Sequence, residues 1–208
     1  MTQRGNRREL LADAATEVLA RDGGRGLTHR AIDREARVPE GTTKNYYPTR
    51  NALFEAIAHH LAERHVAALE ALCAHIPDDV CPDDVTALYA AMLRRMSGNA
   101  RSQFLALFEL HLEAVRNAEV RAMLGAISRA SVDTAVQLHA AVGRGISRRG
   151  AGLLDAGMLG VALSSLSLPG ELVDELGFDD ADGITRALLT LGATCDEPAL
   201  EVLRDWAG

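Results

Sequence analysis

The sequence is poor in lysine, cysteine and aromatic side chains. Lys44 is its only lysine, and arginine supplies the rest of the basic charge. The three cysteines, Cys73, Cys81 and Cys195, lack the spacing of metal ligands. Neither a GxSxG elbow, a Walker loop, an HExxH helix nor a CxxC pair occurs, and Gly143-Arg144-Gly145 has no strand before it to make a nucleotide fingerprint. The chain is therefore read as a non-enzyme, with no cofactor and no metal site. His59, His60 and His65 share one predicted helix, but their spacing is poor for ligation. An odd cysteine count without a signal peptide fits reduced thiols in a cytoplasmic protein. No uninterrupted apolar run reaches about 18 residues, so no membrane partner is expected.

What remains is a helix-forming composition. Aromatics make up 4% of residues while apolar residues make up 48%, with alanine and leucine abundant. This favours an all-α protein over a sheet protein. The formal net charge of −7 argues at first against a nucleic-acid partner. The charge is uneven, however. Residues 1–50 hold ten Lys/Arg against seven Asp/Glu, and the remainder holds twelve against twenty-two. A positive end on an acidic body fits a DNA-binding head carried by a separate domain.

Residues 27–53 read as a helix, a tight turn, a short helix and the start of a longer one. Thr28 is placed to cap the first helix. Ile32 and Ala36, four apart, share its buried face, and Asp33 and Arg37 are spaced to pair at its surface. Val38 plugs the turn, Pro39 suits a first helical turn, and Gly41 leaves room for a close backbone approach. Thr42, Thr43, Lys44, Asn45, Tyr46 and Tyr47 then crowd hydrogen-bonding groups onto a very short element. This is the helix-turn-helix plan for entering a DNA major groove.

Val38-Pro39-Glu40-Gly41-Thr42-Thr43, followed by Tyr46-Tyr47-Pro48-Thr49-Arg50 and Leu53, resembles the signature of TetR-type transcriptional regulators. The close match covers about the first quarter of the chain. Arg37 stands where that family usually has glycine, Asp33 where it has alanine, Lys44 where it has tyrosine and Tyr47 where it has phenylalanine. The resemblance implies a three-helix DNA-binding head at 1–50 and a larger helical ligand-binding and dimerisation domain at 51–208. It also implies a homodimer on double-stranded DNA with a palindromic operator, and a repressor released by a largely apolar small-molecule effector. Thr42, Thr43 and Lys44 are expected to face base edges. Thr28, Tyr46, Tyr47 and Arg50, at element ends, are expected to grip phosphates. A helical small-molecule-binding or enzymatic protein that keeps the head without regulatory use is the alternative.

Periodicity places the other helices at 7–22, 50–76, 83–96, 100–116, 118–149, 153–168, 183–194 and from Pro198 to near Trp206. The 100–116 segment is apolar around most of its circumference, which predicts a central position. Met92, Met96, Phe104, Phe108, His111, Met123 and Met158 are candidates to line the cavity the resemblance implies, with ordinary core packing as the alternative for each. The small residues of 153–168 suit either close packing inside one domain or a self-associating face, and with 183–194 they are the expected dimer helices.

Overall fold

A computed structural model of the protein describes residues 3–77 and 79–194. Among the described residues there are ten helices and no strand, so the fold is all-α as expected. The helices are α1 Gln3–Gly26, α2 His29–Glu35, α3 Thr42–Tyr46, α4 Arg50–Ala74, α5 Pro82–Ser97, α6 Arg101–Ala114, α7 Ala118–Ala141, α8 Arg148–Ser167, α9 Gly170–Glu175 and α10 Ala181–Thr194. The expected last helix and Cys195 fall outside the described residues.

Packing divides the chain into two units. The first holds Met1–Ala68 with Gly98–Ile127, and the second holds Leu69–Ser97 with the chain from Ser128 on. The first unit is thus larger than the 1–50 segment expected to carry the DNA-binding function. Its core joins Leu11, Val18 and Leu19 of α1 to Ile32, Leu53 and Ile57, and then to Leu110 of α6. The stripe on α1 repeats at three and four residues, so burying it removes one continuous apolar face from water. Asp13 of α1 accepts from His60 Nε2 at 2.8 Å and from Arg64 at 2.9 Å, which ties α1 to α4 at the edge of that core.

Two helical expectations need correction. α6 is not apolar-buried all round: Ala106, Leu110 and Ala114 face the core at four-residue spacing, while Leu112 and Val115 are 62% and 72% exposed. The 118–149 segment is two helices, not one. Gly143 adopts φ 69°, and its N–H and that of Arg144 close the end of α7 on the carbonyls of Ala140 and His139. Arg148 and Arg149, the last basic residues of that expected segment, instead open α8, whose cap is Ser147 accepting from Gly150 N at 3.0 Å.

In the second unit α5, α8 and α10 pack on one another. The α8 glycines have different jobs. A Cβ on Gly150 would run into the backbone oxygen of Gly192, and one on Gly157 into Leu188, so these two let α10 approach closely. Gly152 and Gly160 meet open space. By length and composition α8 is also apolar enough to cross a membrane: an 18-residue window has mean hydropathy 1.3, and 28% of it is buried.

Candidate nucleic-acid interface

The interface candidate is built from α2, the turn at 36–41 and α3. Thr28 caps α2 as expected, its hydroxyl accepting from Ala31 N at 3.2 Å. The helix ends with Arg37 in the left-handed region at φ 53°, the N–H of Val38 reaching back to Asp33 O at 3.0 Å. That conformation explains why glycine would suit position 37. Pro39 lies in the turn and not in the first turn of α3; its carbonyl accepts from Thr42 N and from the Thr42 hydroxyl, the latter at 2.6 Å.

α3 has only five residues, and its N-cap, Gly41 at φ 89°, has no side chain to cap it. The missing acceptor comes from the preceding helix. The Asp33 carboxylate takes Thr43 N and Gly41 N, each at 2.7 Å, and the Thr43 hydroxyl at 2.6 Å. Asp33 is 3% exposed and Thr43 is fully buried. Burial pushes the Asp33 carboxyl up, but the hydrogen bonds from Thr43 and Gly41 outweigh it and hold the group below the usual carboxylate range. The expected Asp33–Arg37 surface pair is therefore replaced by a buried clamp between the two helices.

That clamp corrects one assignment. Thr43 does not stand at the exposed front of α3, because its backbone and hydroxyl protons are both committed to Asp33 inside the protein. Lys44 and Asn45 are exposed, and Thr42 is half-buried with its proton on Pro39. These three, not Thr43, make the outward surface of α3.

The flanking residues are each tied inward as well. The Tyr47 hydroxyl donates to Arg8 O at 3.2 Å, and its carbonyl accepts from His29 Nε2 at 2.6 Å. Burial raises the Tyr47 phenol, keeping it a donor. Tyr46 is half-buried against the core. Arg50 donates to Leu27 O at 3.2 Å and to Gly24 O, with its guanidinium 5.1 Å from the Phe54 ring centre. Arg50 thus fixes the start of α4 to the α1–α2 junction, where Gly24 N also donates to Glu109 at 3.1 Å. Thr28 and Arg50 remain exposed.

The expected ligand set does not gather in one unit. Met92, Met96 and Met158 belong to the second, Phe104, Phe108, His111 and Met123 to the first. Met96 and Met158 are buried, Met123 packs on the core of the first unit, and His111 is exposed. A surface concavity of about 260 Å³ in the first unit is lined by Arg21, Asp22, Ala31, Arg34, Glu35 and Arg37, none of them from that set.

Sequence reasoning missed Asp33. The available signal was a glycine-capped short helix needing an acceptor from elsewhere, with a carboxylate ten residues before Thr43.

Comparison with known proteins bears on these elements. Residues 81–203 match the family model described as tetracyclin repressor-like, C-terminal domain. A search of curated proteins gave no match. Among solved structures, a TetR family member from Streptomyces coelicolor A3 is 27% identical with a TM-score of 0.62, covering 88% of this chain and 97% of that one. The multidrug binding protein EbrR, complexed with ethidium, is 25% identical with a TM-score of 0.61 and the same coverage, 88% and 97%. Salmonella enterica GusR, 23% identical with a TM-score of 0.66 over 92% of this chain and 98% of its own, shares the fold. With a helix-turn-helix at its start and the matched domain spanning more than half its length, the chain belongs to the TetR family of DNA-binding transcriptional regulators.

Proposed function

We propose that the protein is a homodimeric repressor that reads a palindromic operator with Thr42, Lys44 and Asn45 of each α3, and that a small-molecule effector releases it. Residues 1–50 form the reading head, and 51–208 the effector-binding and dimerisation body. The observation carrying this reading is the clamped α3: a five-residue helix held by three hydrogen bonds to one buried carboxylate, presenting an exposed lysine and asparagine. Lysine can donate to guanine acceptors, asparagine can pair with the adenine edge, and the threonine methyl can touch thymine. Thr28, Tyr46 and Arg50 sit on the flanks, where hydroxyl and guanidinium groups suit phosphates, while the Tyr47 hydroxyl, its proton on Arg8 O, holds α1 to this flank instead.

Two further features support it. α8 presents an exposed line of Leu153, Ala156, Gly160 and Leu163 at three- and four-residue spacing, and α10 exposes Leu191. A two-fold interface there would cover this apolar surface and give two heads for neighbouring half-sites. α4 begins at the head and its last residues, from Leu69, belong to the second unit, so it is the covalent path along which effector occupancy biases the heads. EbrR has been seen with ethidium, which fits a compound-binding body in this fold.

Selection of bound fragments from genomic DNA, followed by anisotropy with the enriched duplex, tests the reading. An inverted repeat bound by a dimer is expected. Recovery of no common sequence, or a monomer in sedimentation at micromolar concentration, would overturn it.

A further inference from the structure

The second unit buries four polar side chains that belong to no capping or turn arrangement: Tyr89 on α5, Thr134 and His139 on α7, and Thr185 on α10. Thr134 has a partner, accepting from Cys73 Sγ at 3.9 Å. The Tyr89 hydroxyl, His139 Nε2 and the Thr185 hydroxyl have no hydrogen-bond partner among the described residues. Tyr89 is 7% exposed and His139 8%, and their ring centres lie 6.1 Å apart with the planes tilted by 42°.

Buried polar groups are normally paired, because an unpaired one loses its water contacts for nothing. Phenylalanine at 89 would fill the same space without that loss. Two such groups side by side on α5 and α7, within the residues matched to the family's C-terminal domain, call for a common partner. Burial, helped by the Asp155 carboxylate, keeps the Tyr89 phenol protonated and therefore a donor. Burial, with Arg144 nearby, lowers the His139 imidazole, so the ring is neutral. Asp155 itself accepts from Ser128 at 3.2 Å. Met92 follows Tyr89 by one helical turn and Met158 follows Asp155 likewise, which supplies soft apolar surface on the same faces.

Building on the effector reading above, we propose that Tyr89 and His139 are the polar recognition pair of the effector site. They select an uncharged ligand carrying a hydroxyl or amide on an apolar body. The phenol donates to the ligand oxygen, and the imidazole nitrogen exchanges a hydrogen bond with the same group. A carboxylate ligand is rejected, since it would enter a buried site beside Asp155 with two neutral partners.

The test uses three probes of one shape on the full chain: naphthalene, 2-naphthol and 2-naphthoate, titrated by calorimetry into wild type and Tyr89→Phe. The wild type is expected to bind the naphthol at least tenfold tighter than naphthalene, with the naphthoate weakest. In Tyr89→Phe the naphthol advantage should fall below twofold while naphthalene binding is kept. The unliganded variant should melt no lower than wild type, because it loses an unpaired group. The pair is refuted by equal naphthol and naphthalene affinity, by an advantage that survives in Tyr89→Phe, by a lower melting temperature of the unliganded variant, or by no naphthol binding at millimolar concentration. The effector reading is judged separately, by whether any member of a chemically mixed compound panel releases wild-type protein from its selected operator. Release by other compounds alongside failed naphthol discrimination would retire the pair and leave the effector reading standing.

Discussion

Replacing Asp33 by alanine removes the acceptor for three protons at once: Gly41 N, Thr43 N and the Thr43 hydroxyl, at 2.6–2.7 Å. Hydrogen bonds to a charged group contribute about 1.5–3 kcal/mol each when isolated, and less when they share one acceptor. The Thr43 groups are buried and stay unpaired in the variant, whereas the Gly41 N–H lies at an exposed residue and can turn to water. A net loss of about 3 kcal/mol is the outcome, or roughly 6–12 °C in melting temperature for a chain of this size. Because the folded carboxyl is held below its usual range, the contribution is present at neutral pH and is lost as pH falls through the folded value. The gap between wild type and Asp33→Ala should therefore be full at pH 7 and narrow, without vanishing, as pH falls below about pH 4. Urea unfolding at a series of pH values measures both, and Thr43→Val completes a double-mutant cycle whose coupling should exceed about 1 kcal/mol. Operator affinity of the folded variant should fall more than its affinity for scrambled duplex, since α3 loses its fixed orientation. A melting shift under 2 °C, or a gap independent of pH, would refute the clamp.

Three further outcomes follow from the same geometry. Arg37→Gly relieves a left-handed backbone at an exposed position and should stabilise the protein by about 1 kcal/mol, read by thermal melting. Lys44→Ala should cost about 1–3 kcal/mol on the best operator and relax preference at one or two base positions, with little change on scrambled duplex; equal loss on both would make Lys44 a phosphate contact. Leu191→Arg places a charge on the exposed apolar face of α10 and should give monomers in sedimentation with operator binding lost, while the melting temperature stays near the monomer's own value.

The sequence by itself determined the helical class, the helix-turn-helix plan and most helix starts. The reason is that Thr28 and Thr49 cap groups three residues away, and the α1 stripe repeats every three or four residues; such signals depend only on near neighbours. Tertiary structure alone decided what crosses longer spans. Asp33 looks like a surface partner for Arg37 until the turn brings Gly41 and Thr43 over it, and the same fold takes Thr43 away from DNA. The glycines of α8 are alike in sequence, yet Gly150 and Gly157 seat α10 while Gly152 and Gly160 face outward, because only the crossing of two helices assigns their faces. Tyr89 and His139 carry no local signature at all. Fifty residues apart in the chain, they meet only because the fold brings this point of α5 to this point of α7, leaving a phenol and an imidazole buried side by side.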